Sequence, residues 1–576
     1  METVYHRPSR QRRRGGLGLF FAIFIAVALA TIGWLGYMKY IPSKEKIDPS
    51  YSSEHPIIMQ GVEQKHGALI QNGNVLLPLP LLDGILAADK PIHYEQETGT
   101  LVMTTLDKVL RLKTDALTGM INQKPYTLSI AAEVAEDIVY IPMEPLEELY
   151  GFRAEYDEGS GIVTLLREGN VIQQADVSSD DAPLRSAPSI REPYLLRIPY
   201  GETVRIWSEQ DGWLLVQDSA GHIGYLNKKH AELTAIERIP ETEREPKFVP
   251  WKVMGHKINM TWEAVYNRKI DYTKIGDMPG VNVVSPTWFE LVDSQGTIKG
   301  KADPGYVKWA HERGYQVWAL FNNGFEPDQT TEALSKVETR FSMIQQLIAF
   351  AELYDLQGIN IDFENVYTKD KENLVQFVKE LTPLLHEQGL VVSIDVTPKS
   401  NSEMWSAFLD RESLGRVVDY MMVMAYDEHW AASPKAGSVA SIPWTDHSVA
   451  RILEEDGVPA QKLVLSMPLY TRVWTEQKDE QGKVKVSSKA IGMESVKAIV
   501  EEKDLKPVFD EVAGQNYVEY EEDGALKRIW LEDDVSMRAR VDIVRKYDLA
   551  GVATWARSFQ TPAIWSTIDE ALTKRP

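Results

Sequence analysis

The stretch Leu356-Gln357-Gly358-Ile359-Asn360-Ile361-Asp362-Phe363-Glu364 decides the fold. Polar Asn360, Asp362 and Glu364 alternate with apolar Ile359, Ile361 and Phe363, and in a β-strand that period of two sends the three polar groups to one face. A buried strand normally carries hydrocarbon on both faces, so two carboxyls two residues apart at its C-terminal end are costly unless they are used or well paired. They point to acid chemistry.

Working outward, short apolar segments recur at residues 258–260, 281–285, 316–321, 358–363, 391–396, 420–425, 462–467 and 551–555, with helix-like stretches between them. Alternating strands and helices imply a parallel sheet. Eight strands within residues 251–576 predict an α/β fold of the closed (β/α)8 TIM-barrel type, whose catalytic groups project from the C-terminal strand ends. The alternative is a doubly wound open sheet, but no glycine-rich phosphate loop follows any early strand. One intervening helix carries an apolar stripe of Leu374, Phe377, Val378, Leu381 and Leu385, with Lys371, Glu372, Lys379 and Glu380 expected on its wet side.

A chain of 576 residues, 44% of them hydrophobic, implies about three or four folded units with real cores. The net charge of -22 argues against nucleic acid or an anionic membrane surface as the main partner. The absence of cysteine excludes disulfides, thiol nucleophiles and Cys-ligated metals. His429 and His447 have no third donor at ligand spacing, so neither metal nor cofactor is expected.

Arg7, Arg10, Arg12, Arg13 and Arg14 precede an uncharged run over residues 15–38, long enough for a helix spanning a ~30 Å hydrocarbon core. The basic tail, residues 1–14, should stay in the cytoplasm, with Trp34 and Tyr37 at the interface and everything after Lys39 outside. A cleaved signal peptide is the competing reading. The run is longer than the usual apolar region of ~7–15 residues, and no A-x-A site follows it.

Between anchor and barrel, residues 57–168 hold an internal repeat. Val75-Leu76-Leu77-Pro78, then Tyr94 and Thr98-Gly99-Thr100, recurs as Val139-Tyr140-Ile141-Pro142, then Tyr156 and Ser160-Gly161-Ile162, each copy reading as strand, short helix, hairpin. It resembles the duplicated stalk module of bacterial surface enzymes named after the N-terminal domain of copper amine oxidase, which implies a spacer or a wall-binding unit; no His cluster accompanies it. Polar residues 173–190 read as a linker. Residues 184–234 hold short glycine-punctuated strands resembling the bacterial Src-homology-like barrel, in which Trp213 and Tyr225 are either peptidoglycan contacts or core aromatics. Residues 237–250, rich in Pro and Glu, read as a second linker.

The acidic strand itself resembles the D-G-x-D-x-D-x-E signature of family-18 glycoside hydrolases. Asp362 and Glu364 match, whereas Gln357 and Asn360 stand where the first two aspartates usually do. Met422-Val423-Met424-Ala425-Tyr426-Asp427 resembles the family's M-x-Y-D motif, Pro468-Leu469-Tyr470-Thr471-Arg472 continues strand seven as in family members, and strand eight ends at Trp555. Asn365 and Glu428-His429-Trp430 extend the likeness toward the spore-cortex and cell-wall branch, whose members cleave N-acetylglucosaminyl bonds.

The resemblance implies a mechanism. Glu364 would be the general acid, and the substrate's own 2-acetamido carbonyl would attack the anomeric carbon to give an oxazolinium ion. Asp362 would accept the acetamido N–H, Tyr426 would hold the attacking carbonyl oxygen and Trp555 would floor the sugar. Asn360, Met424, Asp427 and Arg472 are the remaining substrate-binding candidates, although Asp427 and Arg472 either line the cleft or pair with each other. An amide at 360 removes a like charge from beside Asp362, which is therefore expected to ionise more readily. Gln357 faces the other way and is expected to be structural. The expected protein is a monomeric, membrane-anchored, extracytoplasmic bacterial hydrolase of β-1,4-linked N-acetylglucosamine in peptidoglycan or spore cortex. A chitinase and a noncatalytic wall-binding lectin are the alternatives.

Overall fold

The computed structural model describes residues 16–87, 90–180, 182–241, 248–251, 257–266, 269–478 and 481–573. The basic tail expected at residues 1–14 lies outside them. The chain divides into two compact units, residues 1–87 with 128–244, and residues 88–127 with 245–576.

In the second unit eight parallel strands close a barrel: β1 (Ile258–Glu263), β2 (Val283–Leu291), β3 (Gln316–Asn322), β4 (Gly358–Asp362), β5 (Val391–Val396), β6 (Tyr420–Met424), β7 (Leu463–Pro468) and β8 (Gly551–Trp555). Closure is explicit, since β1 pairs in parallel with both β2 and β8. Two glycines permit it. A Cβ on Gly551 would lie 2.0 Å from the Ile258 carbonyl, and one on Gly358 would lie 2.7 Å from the Trp318 ring. Inside the barrel, Met260, Trp262, Trp318, Leu320 and Met422 form an inner core, while Ile359, Ile361 and Phe363 point out against the helices.

Helix Lys371–Glu387 buries the predicted stripe from Leu374 to Leu385. Glu380, expected to be wet, is only 2% exposed. It is held by Arg340 of helix Val337–Tyr354, at 2.8 and 3.0 Å, and by Gln376 at 2.8 Å. A buried carboxylate is tolerable with a bidentate guanidinium partner.

Two additions were not apparent in the sequence. A five-stranded antiparallel sheet, containing Tyr470–Lys478, Val484–Gly492, Val508–Asp510, Gln515–Glu522 and Ala525–Trp530, is inserted between β7 and β8. The first repeat's hairpin belongs to a meander spanning residues 92–127 that clusters with the barrel; its Val102 and Val109 join the outer core and Arg111 covers the Phe341 ring.

In the first unit both repeat copies begin as read: strand Asn74–Pro78 leads to helix Leu79–Ile85, and Ile138–Pro142 to Met143–Tyr150. The two strands pair antiparallel. The expected linker at 173–190 is not one. Val171–Val177 and Ala182–Arg185 are strands of a seven-stranded sheet that also takes in Ala231–Arg238, where the second linker was expected to begin. Between their polar residues they bury Ile172, Ala175, Val177, Ala182 and Leu184, the alternation of a half-buried strand interrupted by an irregularity between Gln173 and Ala175. Trp213 is a core residue here, 7% exposed.

Helix Gly16–Tyr40 is long and apolar enough over Phe20–Tyr37 to cross a membrane, and no residue of that segment is buried; the Arg191 guanidinium lies over the Tyr37 ring at its end. The chain leaving it is fastened to the seven-stranded unit. Ser43 N–H donates to Ile190 O at 2.8 Å, Tyr194 N–H to Glu45 O at 3.0 Å, and the Arg191 guanidinium to Ile41 O at 2.9 Å.

Candidate active site

Asn360, the first inward residue of β4, is fully buried and makes four hydrogen bonds. Its Oδ1 accepts from Trp262 Nε1 at 2.9 Å and Ser285 Oγ at 3.3 Å. Its Nδ2 donates to Ser393 Oγ at 3.1 Å and Asp395 Oδ1 at 2.9 Å. The last bond explains the amide, because a carboxylate at 360 could not donate to Asp395.

Asp395 is the neighbour of Asp362 on the adjoining strand. Ile361 pairs with Ile394 across the β4–β5 ladder, so Asp362 and Asp395 stand at the next step of one register, at the ~4.8 Å spacing of neighbouring strands. A second carboxyl thus stands beside Asp362 from β5 rather than from position 360. Asp362 does not ionise readily: burial pushes its carboxyl up to about 7. Asp395 is held well above the carboxylate range by burial, then by Asp362.

Glu364 lies two residues past the end of β4, half-buried, with its carboxyl pushed up to about 8 by burial first, then by Asp362 and Asp427. It therefore keeps its proton at neutral pH. The Tyr426 hydroxyl, beyond the end of β6, is raised well above its ordinary value by burial and by nearby Asp395, Tyr470, Asp362 and Glu364. It stays a proton donor across the working range. Trp555 ends β8 with its ring 6.0 Å from that of Trp262, and Met424 ends β6, 9% exposed.

Of the two readings of Asp427 and Arg472, the structure displays the pairing: Asp427 Oδ1 accepts from Arg472 Nη2 at 3.1 Å and from the Tyr470 hydroxyl at 2.7 Å. Both partners come from the inserted sheet. Gln357 is bonded to the barrel frame, its Oε1 accepting from Val317 N–H at 3.1 Å.

Three site residues were given no role by sequence reasoning. Asp395 did carry a signal, since Ser393 and Asp395 repeat on β5 the inward polar alternation of β4. Tyr470 was quoted only as part of a motif. Asn323 carried no periodic signal; it binds the backbone on both sides of the Glu364 side chain.

Comparison with known proteins supplies the class: the protein is a glycoside hydrolase. Residues 307–560 match the family model of the Glycosyl hydrolases family 18, and residues 58–165 match that of the Copper amine oxidase N-terminal domain. Among curated relatives, the uncharacterized glycosylase YvbX of Bacillus subtilis (strain 168) is 24% identical over 300 residues, 50% of this chain and 84% of that protein. The cortical fragment-lytic enzyme of the same organism is 23% identical over 255 residues, 44% of this chain and 58% of its own length. Among solved structures, the spore cortex-lytic enzyme SleL of Bacillus megaterium QM B1551 is 19% identical, with a TM-score of 0.49 over 60% of this chain and 79% of that one.

Proposed function

We propose that the protein is a membrane-anchored hydrolase that cleaves β-1,4-linked N-acetylglucosamine bonds in peptidoglycan or spore cortex, with retention and with the substrate's acetamido group as nucleophile. One observation carries the mechanistic part. Asp362 Oδ1 is buried without a hydrogen-bond partner among the described residues, beside a Glu364 that holds its proton at neutral pH. A buried acceptor left unpaired costs about 1–3 kcal/mol, which an incoming N–H donor recovers.

In this reading Glu364 protonates the glycosidic oxygen as the bond to the anomeric carbon breaks. Asp362 accepts the acetamido N–H and, once ionised, balances the positive charge on the oxazolinium ring, while the Tyr426 hydroxyl donates to the attacking carbonyl oxygen. Trp555 offers an aromatic floor, backed by the buried Trp262 ring. Water then opens the ring, with Glu364 as base. Exposed Phe325, Trp405 and Trp430 on loops following β3, β5 and β6 are suited to stack further sugars of a polymer.

Support for a wall or cortex substrate comes from relatives named as cortical fragment-lytic enzymes. Support for anchoring comes from the uncovered apolar helix. We assign the repeat module and the small all-β unit, with its likeness to Src-homology-like barrels, to spacing the barrel from the bilayer and to holding wall polymer. Mass spectrometry of muropeptides released from purified walls tests the assignment. New reducing-end N-acetylglucosamine is expected; new reducing-end N-acetylmuramic acid, or no release from any wall preparation, would overturn it.

A further inference from the structure

Strand β4 ends at Asp362, where its ladder with β3 also stops, Asn322 opposite Asp362 being the last pair. Glu364 therefore sits beyond the regular hydrogen bonding that fixes the rest of the row. Its backbone is nevertheless held on both sides by one side chain. Asn323 Oδ1 accepts from Glu364 N–H at 3.1 Å, and Asn323 Nδ2 donates to Glu364 O at 2.8 Å. A carboxamide used in this way imitates a peptide group, extending β3 by one rung after its backbone has turned away.

The amide itself is locked. Asn323 is fully buried, and its Nδ2 also donates to Thr330 Oγ1 at 2.9 Å. The Thr330 hydroxyl proton is committed to Glu326 O at 2.7 Å, so toward Asn323 the oxygen can only accept. A flipped amide would set Oδ1 against an oxygen with no proton to offer and against the Glu364 carbonyl. Only one orientation satisfies all three bonds. On the far side, Asn365 has a left-handed φ of 55° and its Nδ2 donates to Phe325 O at 2.9 Å. Glu364 and the residue after it are thus both tied to the short stretch Asn323 to Phe325 that follows β3.

We infer that Asn323, oriented by Thr330, is a positioning residue for the general acid, fixing the Cα of Glu364 so that its carboxyl meets the glycosidic oxygen. The inference rests on the reading of Glu364 as the acid. Misplacement by about 1 Å costs on the order of 10²-fold in well-aligned reactions. Asn323→Ala is accordingly expected to lower kcat by about 10–100-fold while KM changes less than about twofold. A loosened Glu364 also gains solvent, so the alkaline limb of its kcat–pH profile moves to lower pH. Thr330→Val, which keeps volume and removes the acceptor, gives a smaller loss of the same kind and carries the test should Asn323→Ala fail to fold.

Glu364→Gln runs alongside as the control. If it abolishes turnover while folded Asn323→Ala and Thr330→Val keep kcat and the alkaline limb unchanged, the positioning role is refuted. Loss of activity in proportion to loss of folded protein, with the limb unmoved, refutes it equally. Full turnover by Glu364→Gln would remove the acid assignment itself, and the positioning role with it.

Discussion

Replacing Glu364 with glutamine should make the enzyme inactive and more stable. The carboxyl has a pKa of about 8 in the folded protein against its ordinary 4.5, chiefly because burial disfavours its charge. At about 1.4 kcal/mol for each tenfold change in proton affinity, the displacement corresponds to roughly 4–5 kcal/mol in full. Part of it comes from Asp362 and Asp427, whose charges adjust to one another, so about 2 kcal/mol is the working figure. The sign follows from proton linkage. Because the folded pKa is raised, folding is unopposed below the unfolded value near 4.5, and stability is lost progressively as pH rises toward 8. Glutamine cannot ionise and escapes that loss. Thermal unfolding of the barrel should therefore show wild type and Glu364→Gln coinciding at pH 4, with the variant higher by roughly 3 °C at pH 8, a shift expected of about 2 kcal/mol in a domain of this size. Hydrolysis should fall by about 10²–10⁴. Equal melting at pH 8 would refute the claim that the site stores an unfavourable charge, and unchanged turnover would refute the role given to it.

Three further outcomes follow from the same geometry. Activity needs Asp362 ionised and Glu364 protonated, so the kcat–pH profile should be a narrow bell, rising near 7 and falling near 8, with apparent values belonging to the coupled pair; a plateau from pH 5 to 9 would contradict it. Asn360→Asp sets a carboxylate against Asp395 Oδ1, now 2.9 Å from the amide nitrogen, and should destabilise the barrel by about 1–3 kcal/mol and move the acidic limb to higher pH, both read from melting curves and pH–rate profiles. Deleting residues 1–40 should convert a membrane-bound protein into a soluble one with undiminished cleavage of small N-acetylated oligosaccharides, measured after fractionation; full-length protein in the soluble fraction would contradict the anchor.

What the sequence discloses, and what it hides, depends on whether an element's chemistry repeats along the chain. β4 is legible because three polar groups alternate with three apolar ones, and the other barrel strands because they are short apolar runs between helices. Asn360 was legible as a departure but not in its consequence, since the group it serves, Asp395, is a neighbour only once β5 lies alongside β4. Glu380 was placed in water because its helix face is charged; the Arg340 that buries it comes from another helix. Residues 173–190 read as linker because the stretch is polar, although Ala175, Val177, Ala182 and Leu184 pack inward once its strands join the sheet. Asn323 is hidden most deeply, since a side chain that binds backbone leaves no pattern in either segment.

The most direct test of substrate assistance is proton NMR of the first sugar released from an N-acetylated β-1,4-linked oligosaccharide by the chain lacking residues 1–40, recorded before mutarotation. Attack by the acetamido oxygen followed by attack of water is a double displacement, so the account predicts that the new anomeric signal is β. An α anomer at the earliest times would contradict it.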